Sequence, residues 1–418
     1  MRLLILSPRF IKGDMRGGEE VVRYIYNGVK EKMDTYIITS DGLDVRYQHS
    51  IFSRSLRNNR DNMIIDSHIL YLRSFPLINM VAKIPLKLLE TKLTRKKDPF
   101  LKNVLDHIKV IAHGPYLPNL RRVIRRLKPD LIWGSIYPNE LSVSAFYISK
   151  DLRIPFIYTP YYHYQVEDFK KPYILRKIVK EADFIVANTQ NEERELISLG
   201  CSHDKIRTIN LGIESKMIPT NNEILMYKRS LGLTSNFIVL TQAWTDKGAI
   251  DILKAIADYS NSHNDVTLLT IGEPDEKYLN SKKIALELHK KLTVIDLGWV
   301  ETKQKMLAFA SSDVFVMLSK NDAFGLSYLD AFSMKVPVIA MKGTTGEDIV
   351  TDNIDGFLVS EGDIDDLKAK LDILMNDKEL KKKLGENGLR KVKEKFNSRT
   401  MIDKYAETFL EIIQNEQR

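Results

Sequence analysis

Short runs of β-branched and other apolar residues alternate with amphipathic helical patterns along almost the whole chain. In the first half, residues 3–6, 36–39, 131–133, 156–158 and 184–187 read as buried strands. In the second half the same pattern falls on residues 237–241, 266–271, 293–296, 314–317, 336–340 and 357–359. Helical spacing fits between them at 139–151, 192–199, 247–259 and 306–310. Strands that alternate with helices predict an α/β protein built on doubly wound parallel sheets. Eleven strands exceed one ordinary sheet, so two Rossmann-like domains are expected. The seam falls near Asn210, Leu211, Gly212 and Ile213, which precede a polar stretch, and divides the chain into residues 1–213 and 214–397. The last pattern, 398–413, places Met401, Tyr405, Phe409 and Ile412 on one helical face. Residues 43–105 depart from the alternation.

Composition changes this picture little. With 418 residues, 44% of them apolar and 28% charged, the chain has the make-up of an ordinary globular enzyme of two or three domains. A single cysteine, Cys201, excludes an internal disulfide and a cysteine-rich metal site, and it fits the reducing cytoplasm. No run approaches the roughly 18 apolar residues of a membrane span. The opening MRLLILSPRF, ended by Pro8 and Arg9, reads as a first strand rather than a secretory leader.

Charge is more informative. Residues 51–130 carry a net +11, so the rest of a chain of formal charge +8 is net negative. Apolar clusters at 63–65, 69–72 and 84–89 punctuate this segment, and Lys92, Arg95, Lys96 and Lys97 follow. Two readings stand: a solvated basic face, or peripheral docking on anionic lipid at the inner face of a membrane. Nucleic acid is disfavoured as a partner, because no helix-turn-helix, zinc-finger or RNP-like pattern accompanies the charge.

The densest chemistry lies in NDAFGLSYLDAFSMKVPVI, residues 321–339. Asp322 and Asp330 flank Phe324, Gly325 and Leu326, where a helix should open. Amides at a helix N-terminus suit phosphates, and carboxylates suit sugar hydroxyls. If the residues between them are mostly helical, the two acids lie about 12 Å apart along the axis. The plainer reading makes Asp322 an N-cap and leaves Asp330 on a solvated face. Gly17 and Gly18 open a helical run after the first strand, where backbone can approach a diphosphate or simply turn. They do not form G-x-G-x-x-G, so a nicotinamide fingerprint is missing. Lys247, beside Gly248, follows the first strand of the second domain and offers a cation to a phosphate. His163 follows a strand end among tyrosines, a place for a structural histidine or a sugar contact. Asp363 and Asp365 make an Asp-x-Asp pattern but begin a strong helix, so capping explains them and no metal site is assigned.

Taken together these residues resemble the retaining glycosyltransferases of family 4, and the resemblance runs almost end to end. The family's acid-x7-acid signature appears as Asp322 and Asp330 around Phe324 and Gly325. Its Pro-Val-Ile-Ala run is at 337–340, its Gly-Gly-x-x-Glu segment is represented at 343–347, and Asp-Gly-Phe-Leu-Val stands at 355–359. Three positions depart from the pattern. Both signature acids are aspartates, Gln242 stands where an arginine is usual, with Arg9 or Arg16 as substitutes, and Lys335 replaces a glycine that ends the signature helix.

The resemblance implies the GT-B fold: two Rossmann-like doubly wound parallel-sheet domains facing a central cleft, with residues 398–418 crossing back to an N-terminal, acceptor-binding domain. Residues 214–397 would bind a UDP-, GDP- or ADP-sugar. Gly17, Gly18 and Lys247 would face the donor phosphates, with the amides of Phe324, Gly325 and Leu326 lining them. Asp322 would meet donor-sugar hydroxyls, Asp330 the ribose, Gly298 and Trp299 the base, and His163 the donor sugar. Glu347 belongs to the same donor segment. The implied reaction is hexosyl transfer with retention to a saccharide or lipid-linked acceptor, with no cofactor or metal required. An epimerase or phosphorylase on the same fold, or a non-catalytic sugar-nucleotide-binding protein, remain the alternatives.

Overall fold

The structure, a computed structural model, describes residues 1–12, 17–42, 63–64, 66–75, 81, 99–137, 139–163, 173–214, 218–233, 237–262, 265–320 and 322–416. Arg16, the apolar run at 84–89 and the basic residues Lys92, Arg95, Lys96 and Lys97 lie outside the described residues. The chain divides into two compact units, Met1–Leu211 with Ser398–Arg418, and Gly212–Asn397.

The first unit carries a seven-stranded sheet, β1 (Arg2–Ser7), β2 (Asp34–Ser40), β3 (Ile69–Leu72), β4 (Leu131–Ser135), β5 (Phe156–Thr159), β6 (Phe184–Ala187) and β7 (Ile206–Thr208), in the order β3-β2-β1-β4-β5-β6-β7. Every pairing is parallel. Leu3, Leu4, Ile5 and Leu6 have no exposed surface, as expected for a strand covered by helices on both faces. The helix Ser398–Glu416 packs in this unit and buries Met401, Tyr405, Phe409 and Ile412. Its rings meet Trp133, with Tyr405 at 5.3 Å and Phe409 at 5.5 Å between centroids. Gly28, on the helix Gly18–Val29, allows the approach, because a Cβ there would come within 2.4 Å of Ile402.

The second unit carries a six-stranded parallel sheet, β8 (Phe237–Gln242), β9 (Val266–Ile271), β10 (Thr293–Asp296), β11 (Val314–Met317), β12 (Val338–Met341) and β13 (Gly356–Val359), in the order β10-β9-β8-β11-β12-β13. The order reverses beside β8, a topological switch point, so the carboxyl ends of β8 and β11 open the crevice where ligands bind in such sheets.

Each of the eleven expected strands is present, and two more appear among the described residues. Ile69–Leu72, read from sequence only as an apolar cluster within the basic segment, is an edge strand paired with β2, with Leu70 and Leu72 against the core. Ile206–Thr208 is a three-residue edge strand with only Ile206 buried, too short for a run to register. Thr293–Asp296, expected to be buried, is an edge strand with no buried residue.

Candidate functional site

The second unit gathers several of the expected residues at the carboxyl ends of β8 and β11. After β8 the chain makes a single 3-10 turn, Thr245–Lys247, closed by Gly248 at φ +80°. Gly248 is pressed against the end of β11, where an added Cβ would lie 2.6 Å from the Leu318 Cβ. Leu318 N donates to the Lys247 carbonyl at 3.0 Å, locking the two loops together. Because β8 and β11 are sheet neighbours, Lys247 and Asp322 meet: Nζ lies 2.5 Å from Oδ1. The second carboxylate oxygen of Asp322, Oδ2, is buried and has no hydrogen-bond partner among the described residues. A buried carboxylate oxygen left unsatisfied is costly, so it marks an acceptor position for a ligand donor.

Asp322 is not the cap of the following helix. That helix is Leu326–Ser333, and its N-cap is Gly325 at φ +86°, with no side-chain cap bond. A Cβ at Gly325 would come within 2.7 Å of the Tyr328 ring, so glycine is required there by space as well as by backbone. The helix therefore spans only part of the interval between the acids, and the 12 Å axial estimate does not apply. Phe324 is buried and packs edge-on against Phe396, at 5.9 Å between centroids. Tyr328, fully buried, donates to the Met317 carbonyl at 2.8 Å and fixes the helix to β11. Burial, with the charge of Asp322 nearby, pushes its phenol well above the usual range.

Asp330 is not on a solvated face. It is buried, and Nζ of Lys305, on the helix Thr302–Ala310, lies 2.9 Å from its Oδ2. Sequence reasoning missed Lys305, because it reaches the signature helix from a separate element and no local spacing announces it. Gln242, in the place of the usual arginine, donates to Ser327 Oγ at 2.7 Å and braces the first turn of the same helix. Lys335 ends that helix region at φ +60°, a left-handed conformation that strains a lysine.

Around this core, the carbonyl of Gly298 (φ +64°) accepts from Gly272 N at 2.7 Å, and Trp299 is half-exposed beside it. Glu347 is exposed and accepts from Gly343 N at 2.7 Å. Asp363 caps the helix Ile364–Asn376 by accepting from Asp366 N at 2.9 Å, and Asp365 pairs with Lys368 at 2.8 Å; both acids serve helix ends.

Gly17, Gly18 and His163 belong to the first unit. Gly17 is the N-cap of the helix Gly18–Val29 at φ +50°. A Cβ at Gly18 would touch Ile136 at 3.5 Å, ordinary contact. Arg9, one candidate substitute for the missing arginine, is held by Glu19 in a buried pair at 2.6 Å. His163 lies half-buried after β5. Its neighbour Tyr162 donates its amide to Glu192 Oε1 at 2.6 Å, which fixes that loop. Cys201 is buried, and burial pushes its thiol up to about 11.

Two family models match the chain: glycosyl transferases group 1 over residues 231–391, and glycosyltransferase family 4 over residues 98–216. Among similar proteins, the sulfoquinovosyl transferase SQD2 of Arabidopsis thaliana is 26% identical over 69% of this chain and 58% of its own length. The alpha-monoglucosyldiacylglycerol synthase of Streptococcus pneumoniae is 25% identical over 59% of this chain and 60% of its own. The chain thus spans less than two thirds of the length of these relatives. Among solved structures, Anabaena HepE in complex with UDP and glucose covers 98% of this chain, with all of its own, at a TM-score of 0.71 and 17% identity, which establishes the likeness of fold. With its two parallel doubly wound sheets, the chain has the GT-B fold and belongs to the group 1, or family 4, glycosyltransferases.

Proposed function

We propose that the protein transfers a hexosyl unit from a nucleoside diphosphate sugar to an acceptor hydroxyl, with retention at the anomeric carbon. The observation that carries this reading is the Lys247–Asp322 pair with its orphaned Oδ2, set before the N-terminus of the helix Leu326–Ser333. The unmet oxygen suits a donor-sugar hydroxyl. The ammonium and the amides of Phe324, Gly325 and Leu326 suit the diphosphate on which charge develops. Asp330, beside Lys305, would meet the ribose, and Gly298 with Trp299 the base. In the transfer, the bond from the anomeric carbon to the diphosphate oxygen breaks while the acceptor oxygen bonds on the same face. The acceptor proton passes to the departing phosphate. The donor is a UDP-, GDP- or ADP-sugar; the complex of Anabaena HepE with UDP and glucose favours testing UDP first.

The acceptor is of the saccharide or lipid-linked class and is bound by the first unit. The name of the diacylglycerol relative favours a lipid acceptor. So does the helix Leu120–Leu127, which buries Leu120 and Ile124 while Arg121, Arg122, Arg125 and Arg126 stay exposed. Such a face suits peripheral contact with anionic lipid on the cytoplasmic side of a membrane.

Thermal stabilisation and nucleoside diphosphate release, measured across UDP-, GDP- and ADP-sugars, test the reading. A donor at 100 times its dissociation constant should stabilise the protein by about 2.7 kcal/mol. Binding without any release of diphosphate, with every donor and acceptor class offered, would leave the non-catalytic alternative standing.

A further inference from the structure

The chain has three tryptophans, and they are treated very differently. Trp133 is fully buried in the first unit, whereas Trp244 and Trp299 are 45% and 46% exposed. Both exposed indoles stand at the carboxyl edge of the second sheet, Trp244 just after β8 and Trp299 just after β10. The strand between them, β9, ends at Ile271, and Gly272 follows it. That glycine has φ +92°, and a Cβ there would lie 3.8 Å from Trp244 Nε1, so the edge of the Trp244 indole sits over it.

The three strand ends are tied into one rigid rim. Gly272 N donates to the Gly298 carbonyl at 2.7 Å, joining the ends of β9 and β10. Thr245 donates its amide and its hydroxyl to Asp275 at 2.6 and 2.7 Å, joining the loop after β8 to the one after β9. Asp275 in turn caps the helix Glu276–Leu288, accepting from Tyr278 N at 2.9 Å. The Trp244 carbonyl accepts from Lys247 N at 2.9 Å, so the indole and the proposed phosphate cation are opposite ends of one turn.

We propose that Trp244, together with Trp299, forms a stacking platform for the nucleobase of the donor, and that it holds the base by its ring face without reading its edge. The inference rests on the proposed donor reading and extends it to a residue that reading leaves out. A half-exposed indole on a hydrogen-bonded turn offers the apolar, polarisable surface a base requires. Gly272 leaves the strand end beside the Trp244 indole free of side-chain bulk. One turn then grips both ends of the nucleotide: Trp244 the base, Lys247 the diphosphate. Because every base presents a π-face, Trp244 contributes to each nucleotide that binds.

The test is titration calorimetry on the full chain with UDP, GDP, ADP and inorganic pyrophosphate, comparing wild type with Trp244→Ala and Trp244→Phe. For every nucleotide that wild type binds, Trp244→Ala should raise Kd by about 10-fold or more, the range expected for loss of a base–aromatic stack. Pyrophosphate affinity should stay unchanged, and Trp244→Phe should recover most of the loss. Nucleotide should also quench wild-type tryptophan fluorescence more than that of Trp244→Phe. Equal losses for pyrophosphate and nucleotides would make Trp244 a mere brace for the phosphate turn and overturn the proposal. A loss for one nucleotide but not for another that wild type also binds would replace the platform with an edge reader, and unchanged affinities would remove Trp244 from the site. Failure of the donor reading looks different, because wild type itself would then bind no nucleotide.

Discussion

The ammonium of Lys247 lies 2.5 Å from Oδ1 of Asp322, although 75 positions separate them in the chain. The two residues arrive from the carboxyl ends of adjacent parallel strands, so the sheet itself makes the pair. Each is partly buried, and only one carboxylate oxygen is used. Under the proposed function, Lys247 would meet the donor phosphate and Oδ2 of Asp322 a sugar hydroxyl, with both groups already in place before the donor enters.

Lys247→Ala should lower turnover by roughly 10²–10³-fold, the effect typical of losing one preorganised stabiliser of developing negative charge. Asp322→Asn should act differently, weakening the intact sugar nucleotide more than the free nucleoside diphosphate. Diphosphate-release kinetics and calorimetry on both ligands check the split. Equal loss for both ligands in Asp322→Asn would detach that residue from the sugar.

Lys305 and Asp330 form the second pair, with the carboxylate only 5% exposed and the lysine 31% exposed. Lys305→Met removes the partner of a buried charge and should cost about 1–3 kcal/mol of stability. Asp330→Asn should weaken binding of the free nucleoside diphosphate. Denaturant midpoints and nucleotide titrations measure the two effects separately. A Lys305→Met variant as stable as wild type would show that water replaces the ammonium at no cost.

Lys335 sits at φ +60°, where a residue with a Cβ is strained and glycine is not. Lys335→Gly should therefore stabilise the protein by about 1 kcal/mol. The reverse substitution nearby should fail: a Cβ at Gly385 would lie 2.0 Å from the Lys335 carbonyl oxygen, so Gly385→Ala must displace backbone. Thermal melts of both variants check the pair, and a Lys335→Gly variant that melts lower than wild type would refute the strain.

Much of this was legible because it rests on local pattern. Fully buried strands such as Val266–Ile271 and Val314–Met317 announce themselves as continuous apolar runs. Asp322, Gly325 and Asp330 share one stretch, so their spacing is visible before any fold is known. What escaped depends on neighbours distant in sequence. The edge strand Ile69–Leu72 buries a single residue, and its half-covered positions look the same as a surface cluster. Lys305 meets Asp330 only after two helices pack, and the Trp244 indole meets Gly272 only once the neighbouring strand β9 is in place. The plainer reading of Asp322 as N-cap fails for a related reason. A glycine with positive φ ends the preceding loop, and that conformation cannot be told from composition.

The helix Leu120–Leu127 gives the membrane reading a test confined to described residues. Its sequence, LRRVIRRL, turns two apolar residues into the core and four arginines outward; Arg121 is engaged by Asp151. Arg122, Arg125 and Arg126 are exposed and sit on a stable scaffold, so replacing them with glutamine should leave folding intact. Near an anionic surface each such charge contributes about 1 kcal/mol, so the triple variant should bind vesicles containing phosphatidylserine roughly 100-fold more weakly. The difference should shrink as salt is raised, because screening shortens the reach of every exposed charge. Release of diphosphate from a soluble donor should not change, since these residues belong to the first unit whereas Lys247 and Asp322 belong to the second. Vesicle sedimentation at two salt concentrations decides it: equal binding by variant and wild type would mean the arginines only solvate the helix.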